Sequence, residues 1–205
     1  MASTSQEIVA IAATASFAAG LNVYATVATL GLLAQAGVLQ LPPALQLLDS
    51  WWVIGTALGL FAIEFIADKI PAFDLIWNAL QTFVRVPVAA LLTYGATAQL
   101  SPSAQLVAAA AAGLIALAAH GGKMAARAAV TPSPEPLSNI GLSLGEDVIA
   151  VSLTWFATTH PYIAVGIVAV FLVVIVAMLR WVVLAFRRLF SGAKRKWDVI
   201  KASYS

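Results

Sequence analysis

The chain carries few ionisable residues, and several of them recur at helical spacing inside long apolar stretches. Glu64 and Asp68 are four residues apart and so share one helix face. Lys69 follows directly, and Asp74, Asn78, Gln81 and Arg85 continue the series at helical spacing. Further along come His120, Lys123 and Arg127, then Asn139, Ser143, Glu146 and Asp147, while Asn22 and Tyr24 interrupt the first apolar stretch. An ionisable residue inside a membrane segment is costly and by default marks an ion, proton or substrate pathway. Facing carboxylates and cations in these stretches therefore point to a polar path. Its residues are Glu64, Asp68, Lys69, Asp74, Asn78, Arg85, Lys123, Arg127, Asn139, Ser143, Glu146 and Asp147. Each also has a structural reading. Asp68, Lys69 and Asp74 suit interfacial charges and caps, His120 a satisfied packing residue, and Asn22 a bond between helices. Glu64, Arg85, Glu146 and Asp147 lie too deep to snorkel, so they must pair or face water.

Other chemistries lack their residues. The absence of cysteine excludes disulfides, thiol catalysis and cysteine metal sites, and the two histidines, His120 and His160, form no HExxH motif. No phosphate-binding glycine loop and no nucleophile–base constellation appears. An enzyme is not expected, and neither is a cofactor or a bound metal.

The elements that position these residues follow from composition. Of the 205 residues 61% are hydrophobic and 10% charged. A soluble domain carries about 25% charged residues, and a spanning helix needs about 20 mostly apolar ones. The sequence predicts an all-α membrane protein of about six transmembrane helices. Thr4-x-x-Glu7 reads as a capping box that opens span one, roughly 8–37, and Leu41-Pro42-Pro43 ends it. Asp49-Ser50 caps span two, roughly 51–66. Span three covers roughly 74–98; Ser101-Pro102 opens span four, which runs to about Ala126. The linker Thr131-Pro132-Ser133-Pro134-Glu135-Pro136 leads to span five, roughly 137–158. His160-Pro161 turns into span six, roughly 162–186. Residues 1–190 thus form one polytopic membrane domain, and 191–205 a basic cytoplasmic tail that anchors topology against anionic lipid.

Orientation follows from loop charge. The loops after spans one, three and five carry no Lys or Arg. Of the eleven basic residues, Lys69, Lys123, Arg127, Arg180, Arg187, Arg188, Lys194, Arg195, Lys196 and Lys201 fall on the other side, and Arg85 lies within a span. Basic residues concentrate on the cytoplasmic face, so both termini are expected there. Trp51, Trp52 and Trp155 then sit at the outer interface and Trp181 at the inner one.

An internal repeat is visible. Gly59-Leu60-x-Ala62 with Asp68-Lys69 aligns with Gly113-Leu114-x-Ala116 with Gly122-Lys123, and further on Asn78 aligns with Asn139, Arg85 with Glu146, and Thr93-Tyr94 with Thr154-Trp155. Residues about 51–98 and 103–158 therefore read as two copies of one helical hairpin. Duplication of this kind is common in transporter folds. The repeat puts Arg85 and Glu146 at equivalent mid-membrane depths, which predicts that Arg85 pairs with Glu146 or Asp147. It also predicts an inner charged cluster of Asp68, Lys69, Asp74, Lys123 and Arg127.

Taken together, Glu64-x3-Asp68-Lys69-x-Pro71-x2-Asp74-x2-Trp77, Lys123-x3-Arg127 and Ser143-x2-Glu146-Asp147 resemble the bacterial membrane family catalogued as domain of unknown function 4126. The resemblance spans nearly all of residues 10–190 and implies a bacterial inner-membrane protein without naming a substrate. The leading functional expectation is a secondary transporter or channel for a small solute or ion. The alternatives are a lipid flippase or scramblase, and a membrane scaffold. The partners expected are membrane lipids and that solute or ion; a homo-oligomer is allowed and nucleic acid is not expected.

Overall fold

The computed structural model describes residues 4–130 and 136–202. The side chains of residues 71–75, 128–139, 182 and 185–202 lie outside that description. The described residues are helical: α1 (Ser5–Leu21), α2 (Val23–Gln35), a short 3-10 helix (Pro43–Asp49), α3 (Trp51–Ala67), α4 (Pro71–Ala96), α5 (Pro102–Val130), α6 (Pro136–Thr159) and α7 (Pro161–Ala202). No strand occurs among them.

Helix starts follow local chemistry. The Thr4 hydroxyl accepts from the Glu7 amide at 3.3 Å and the Glu7 carboxylate accepts from the Thr4 amide at 2.7 Å, completing the capping box. Ser50 accepts from the Val53 amide at 3.3 Å and Ser101 from the Ala104 amide at 3.4 Å. α4, α5, α6 and α7 each begin on proline, whose missing N–H would have no helical partner there.

Among the described residues three helical stretches are long and apolar enough to cross a membrane: Pro102–Arg127, Ile140–Thr159 and Pro161–Trp181. A fourth arises if the 3-10 helix and α3, bent by 63°, form one span. Span one departs from expectation: it is two helices, of 17 and 13 residues, broken at Asn22. Asn22 is extended (φ −150°, ψ 104°), and its side chain caps α2 by accepting from the Ala25 amide at 2.9 Å. An asparagine that can satisfy the freed backbone lets a helix stop without proline or glycine. The end of span six also differs, because α7 continues past residue 186 to Ala202. The side chains of the basic tail lie outside the described residues.

α1 is the centre of the bundle and packs against α4, α5, α6 and α7, whereas α2 lies on α3 and α6. Gly20 makes a close approach: a Cβ there would lie 2.4 Å from the Ala116 carbonyl oxygen of α5. Around it, Phe17, Ala18, Leu21, Ala119, Ala150, Leu153 and Val168 form a close-packed core, with Phe171 of α7 stacked on Phe17 at 5.6 Å. Small residues let helices approach closely where no hydrophobic force separates helix from lipid. Large apolar side chains instead cover the outside, including Trp52, Phe83, Leu91, Val173 and Trp181.

Candidate functional site

The break at Asn22 ends α1 inside the bundle. Helix C-terminal carbonyls lack amide partners and carry partial negative charge. Here two cations supply the donors. Arg85 donates from one terminal nitrogen to the Gly20 carbonyl at 3.0 Å, and Lys123 reaches the Leu21 carbonyl at 3.4 Å. On the other side of the break, the Asn22 amide group donates to Asp147 Oδ1 at 2.8 Å.

Four helices aim polar and ionisable side chains at this point. The last turn of α3 presents Glu64 and Asp68, α4 presents Asn78, Gln81 and Arg85, α5 presents His120, Lys123 and Arg127, and α6 presents Ser143, Glu146 and Asp147. Spacings of three and four keep each set on one face. All are buried, with Glu64 and Arg85 at 0% exposure.

The network has two connected parts. In the upper part Arg85 pairs with Glu64 and donates to His120 Nδ1 at 2.9 Å. Because guanidinium can only donate, Nδ1 must be the acceptor. The proton then sits on Nε2, which donates to the Asn78 carbonyl at 3.0 Å. The lower part centres on Lys123 and Arg127. Lys123 Nζ lies 3.1 Å from Asp68 Oδ2, 3.1 Å from Glu146 Oε2 and 3.6 Å from Glu64 Oε1. Arg127 donates to the same Asp68 and Glu146 oxygens at 2.7 and 2.8 Å. Ser143 adds a 3.4 Å bond to Asp68. Lys123, which reaches Glu64 as well as Asp68 and Glu146, joins the two parts.

Several sequence expectations change here. Arg85 does not pair with Glu146 or Asp147. It pairs with Glu64, while Glu146 takes Lys123 and Arg127. α4 and α6 both pack on α1, and Lys123 of α5 lies between the acids, 3.6 Å from Glu64 and 3.1 Å from Glu146. Lys69 stays out of the inner cluster. Its ammonium donates to the Phe65 carbonyl at 2.7 Å and lies over the Phe65 ring. Asp68, Lys123 and Arg127 do come together as the cluster expectation has it. The side chains of Asp74 and Asn139 lie outside the described residues. Asn22 makes the bond between helices expected of it, to Asp147 of α6, and His120, read from sequence as a packing residue, is a network member. A signal existed for each, since Asn22 lies mid-way along an apolar run and His120 precedes Lys123 by one helical turn.

The family model of a domain of unknown function (DUF4126) matches residues 9–181. The chain belongs to this family. No curated protein and no solved structure matches it. Membership in DUF4126, together with the apolar helices, makes this a membrane protein of a family with no assigned activity.

Unpaired acceptors remain in the network of this DUF4126 chain. Glu64 Oε2, Asp68 Oδ1, Asp147 Oδ2 and Gln81 Oε1 are buried with no hydrogen-bond donor. Gln81 uses its amide nitrogen on the Tyr24 hydroxyl at 3.0 Å. Tyr24 in turn lines an apolar cavity of about 350 Å³ between α2, α3 and α4, together with Val27, Trp52, Ala57, Leu60 and Val84.

Proposed function

We propose that this protein is a secondary transporter or channel for a small solute or ion, rather than an enzyme, and that its path runs past the break between α1 and α2. The observation that carries this reading is the broken helix, whose two ends are held by buried charges from α4, α5 and α6. Transporters build substrate and ion sites at discontinuous helices, where free helix ends meet ions in mid-membrane. A purely structural bundle of this size has little use for eight buried ionisable side chains, because each charge taken out of water costs free energy that pairing only partly returns. The reading includes six crossings, with α1 and α2 together as the first, an internally duplicated hairpin (α3–α4 and α5–α6), both termini cytoplasmic, and placement in a bacterial inner membrane. The one-sided distribution of Lys and Arg supports the orientation. Trp51, Trp52, Trp155 and Trp181 are all exposed on the bundle surface, as residues of interfacial aromatic belts are.

Flux measured in liposomes containing the purified chain tests the function. Solute or ion movement should require the protein and fall sharply in Glu64→Gln and in Glu146→Gln. A folded protein that moves no ion or solute in a broad panel would refute it. A second reading, a lipid flippase, is favoured by the apolar cavity at Tyr24, which has the lining to seat an acyl chain beside the Tyr24–Gln81 hydrogen bond. It predicts movement of labelled lipid without ion flux. The scaffold reading predicts neither, with a stable partner on purification.

A further inference from the structure

The buried charges of the described cluster do not balance. Four carboxylates, Glu64, Asp68, Glu146 and Asp147, face three cations, Arg85, Lys123 and Arg127. Three of the acids have cationic partners: Glu64 has Arg85, and Asp68 and Glu146 share Lys123 and Arg127. Asp147 makes no ion pair among the described residues. It is 6% exposed, its Oδ1 accepts from Asn22, and its Oδ2 has no donor.

The neighbouring cations are committed elsewhere. Arg85 serves Glu64, Gly20 and His120, and Lys123 serves three acids and the Leu21 carbonyl. The charged groups that act on Asp147 are Lys123 from α5, Asp68 and Glu64 from α3, its neighbour Glu146, and Lys69 at the α3–α4 turn. An ionised carboxylate left alone in such a place is strongly unfavourable. We propose that Asp147 is the binding site for one monovalent cation, a proton or a sodium ion, and that Asn22 ties its occupancy to the break between α1 and α2.

A single charge suits the site better than a divalent ion. No group of three or more acidic or histidine side chains is placed to hold a metal ion among the described residues, and calcium requires six or more oxygen ligands. Occupancy leaves Asp147 neutral overall while Oδ1 still accepts from Asn22, so the observed bond fits the loaded state. Asn22 also caps α2, and its own backbone amide closes α1 by donating to the Ala18 carbonyl. Emptying the site leaves an anion that competes for Lys123, whose other bond holds Leu21 on the opposite lip of the same break. One ion therefore acts on both helix ends. This deepens the transport reading, on which it rests only for what the site is for.

The test uses the full chain purified in detergent. Its melting temperature is followed while pH is lowered without sodium, and separately while sodium replaces choline at fixed pH. A ligand that binds only the folded state raises stability by mass action. Wild type should rise by several degrees in one arm, and Asp147→Asn, isosteric with the neutral acid, should stay flat there. The arm that responds names the ion. An equal response in both proteins, or none in wild type, overturns the proposal. Should Asp147→Asn fail to fold, infrared difference spectra of wild type on loading decide instead: a carboxyl change is expected, and its absence overturns the site. A melting response with no flux in liposomes leaves the site standing and refutes transport. Flux that is unchanged in Asp147→Asn does the reverse.

Discussion

Replacing Arg85 with leucine is the most informative perturbation of the buried network. The substitution removes the counter-charge of Glu64, the donor to the Gly20 carbonyl at 3.0 Å and the donor to His120 Nδ1 at 2.9 Å. Breaking a fully buried ion pair from one side costs about 3–5 kcal/mol, because the remaining charge is stranded. A buried acceptor left without its donor adds roughly 1–3 kcal/mol. Arg85→Leu should therefore lose at least about 4 kcal/mol in a reversible detergent-unfolding assay. Glu64→Leu alone should lose about 3–5 kcal/mol by the same reasoning. The double variant should be much less destabilised than the sum, since an apolar pair of similar volume strands no charge. Swapping Arg85 with Glu64 should rescue folding in part, whereas swapping Arg85 with Glu146 should not. The reasoning fails if Arg85→Leu unfolds within about 1 kcal/mol of wild type, or if the Glu64 cycle shows no coupling.

Three further outcomes follow from the packing. Gly20→Ala should destabilise by about 1–3 kcal/mol through overpacking against Ala116, whereas Gly113→Ala, whose nearest new neighbour is 3.5 Å away, should be neutral or slightly stabilising in the same assay. Ser16 and Thr93 hydroxyls meet at 3.0 Å, so a Ser16→Cys/Thr93→Cys variant of this cysteine-free chain should crosslink α1 to α4 on oxidation, read by gel mobility after proteolysis between them. Lys123→Met should cost about 3–5 kcal/mol because it strips a cation shared by three buried acids. Lys69→Ala, outside that cluster, should stay within about 0.5 kcal/mol of wild type.

Much of this protein is local and so is written in its sequence. Thr4-x-x-Glu7, Ser50, Ser101 and the prolines at 71, 102, 136 and 161 set helix starts through bonds and steric limits a few residues long. Spacings of three and four put Glu64 with Asp68, His120 with Lys123 and Arg127, and Ser143 with Glu146 and Asp147 on single faces. These faces turn inward because lipid rejects charge, which is why most of the cluster could be listed from its one-dimensional pattern. Partner choice could not. Whether Arg85 meets Glu64 or Glu146 depends on how α4, α5 and α6 pack around α1, and that packing includes Gly20 fitting against Ala116 far along the chain. The partners of Asp68 were no more legible: its Oδ2 takes Lys123 and Arg127 from the distant α5, while the adjacent Lys69 donates back to the Phe65 carbonyl. The break at Asn22 belongs to both levels. Asparagine's capacity to cap is local, but a stop in mid-bundle is favourable only where Arg85 and Lys123 arrive to satisfy the carbonyls it exposes.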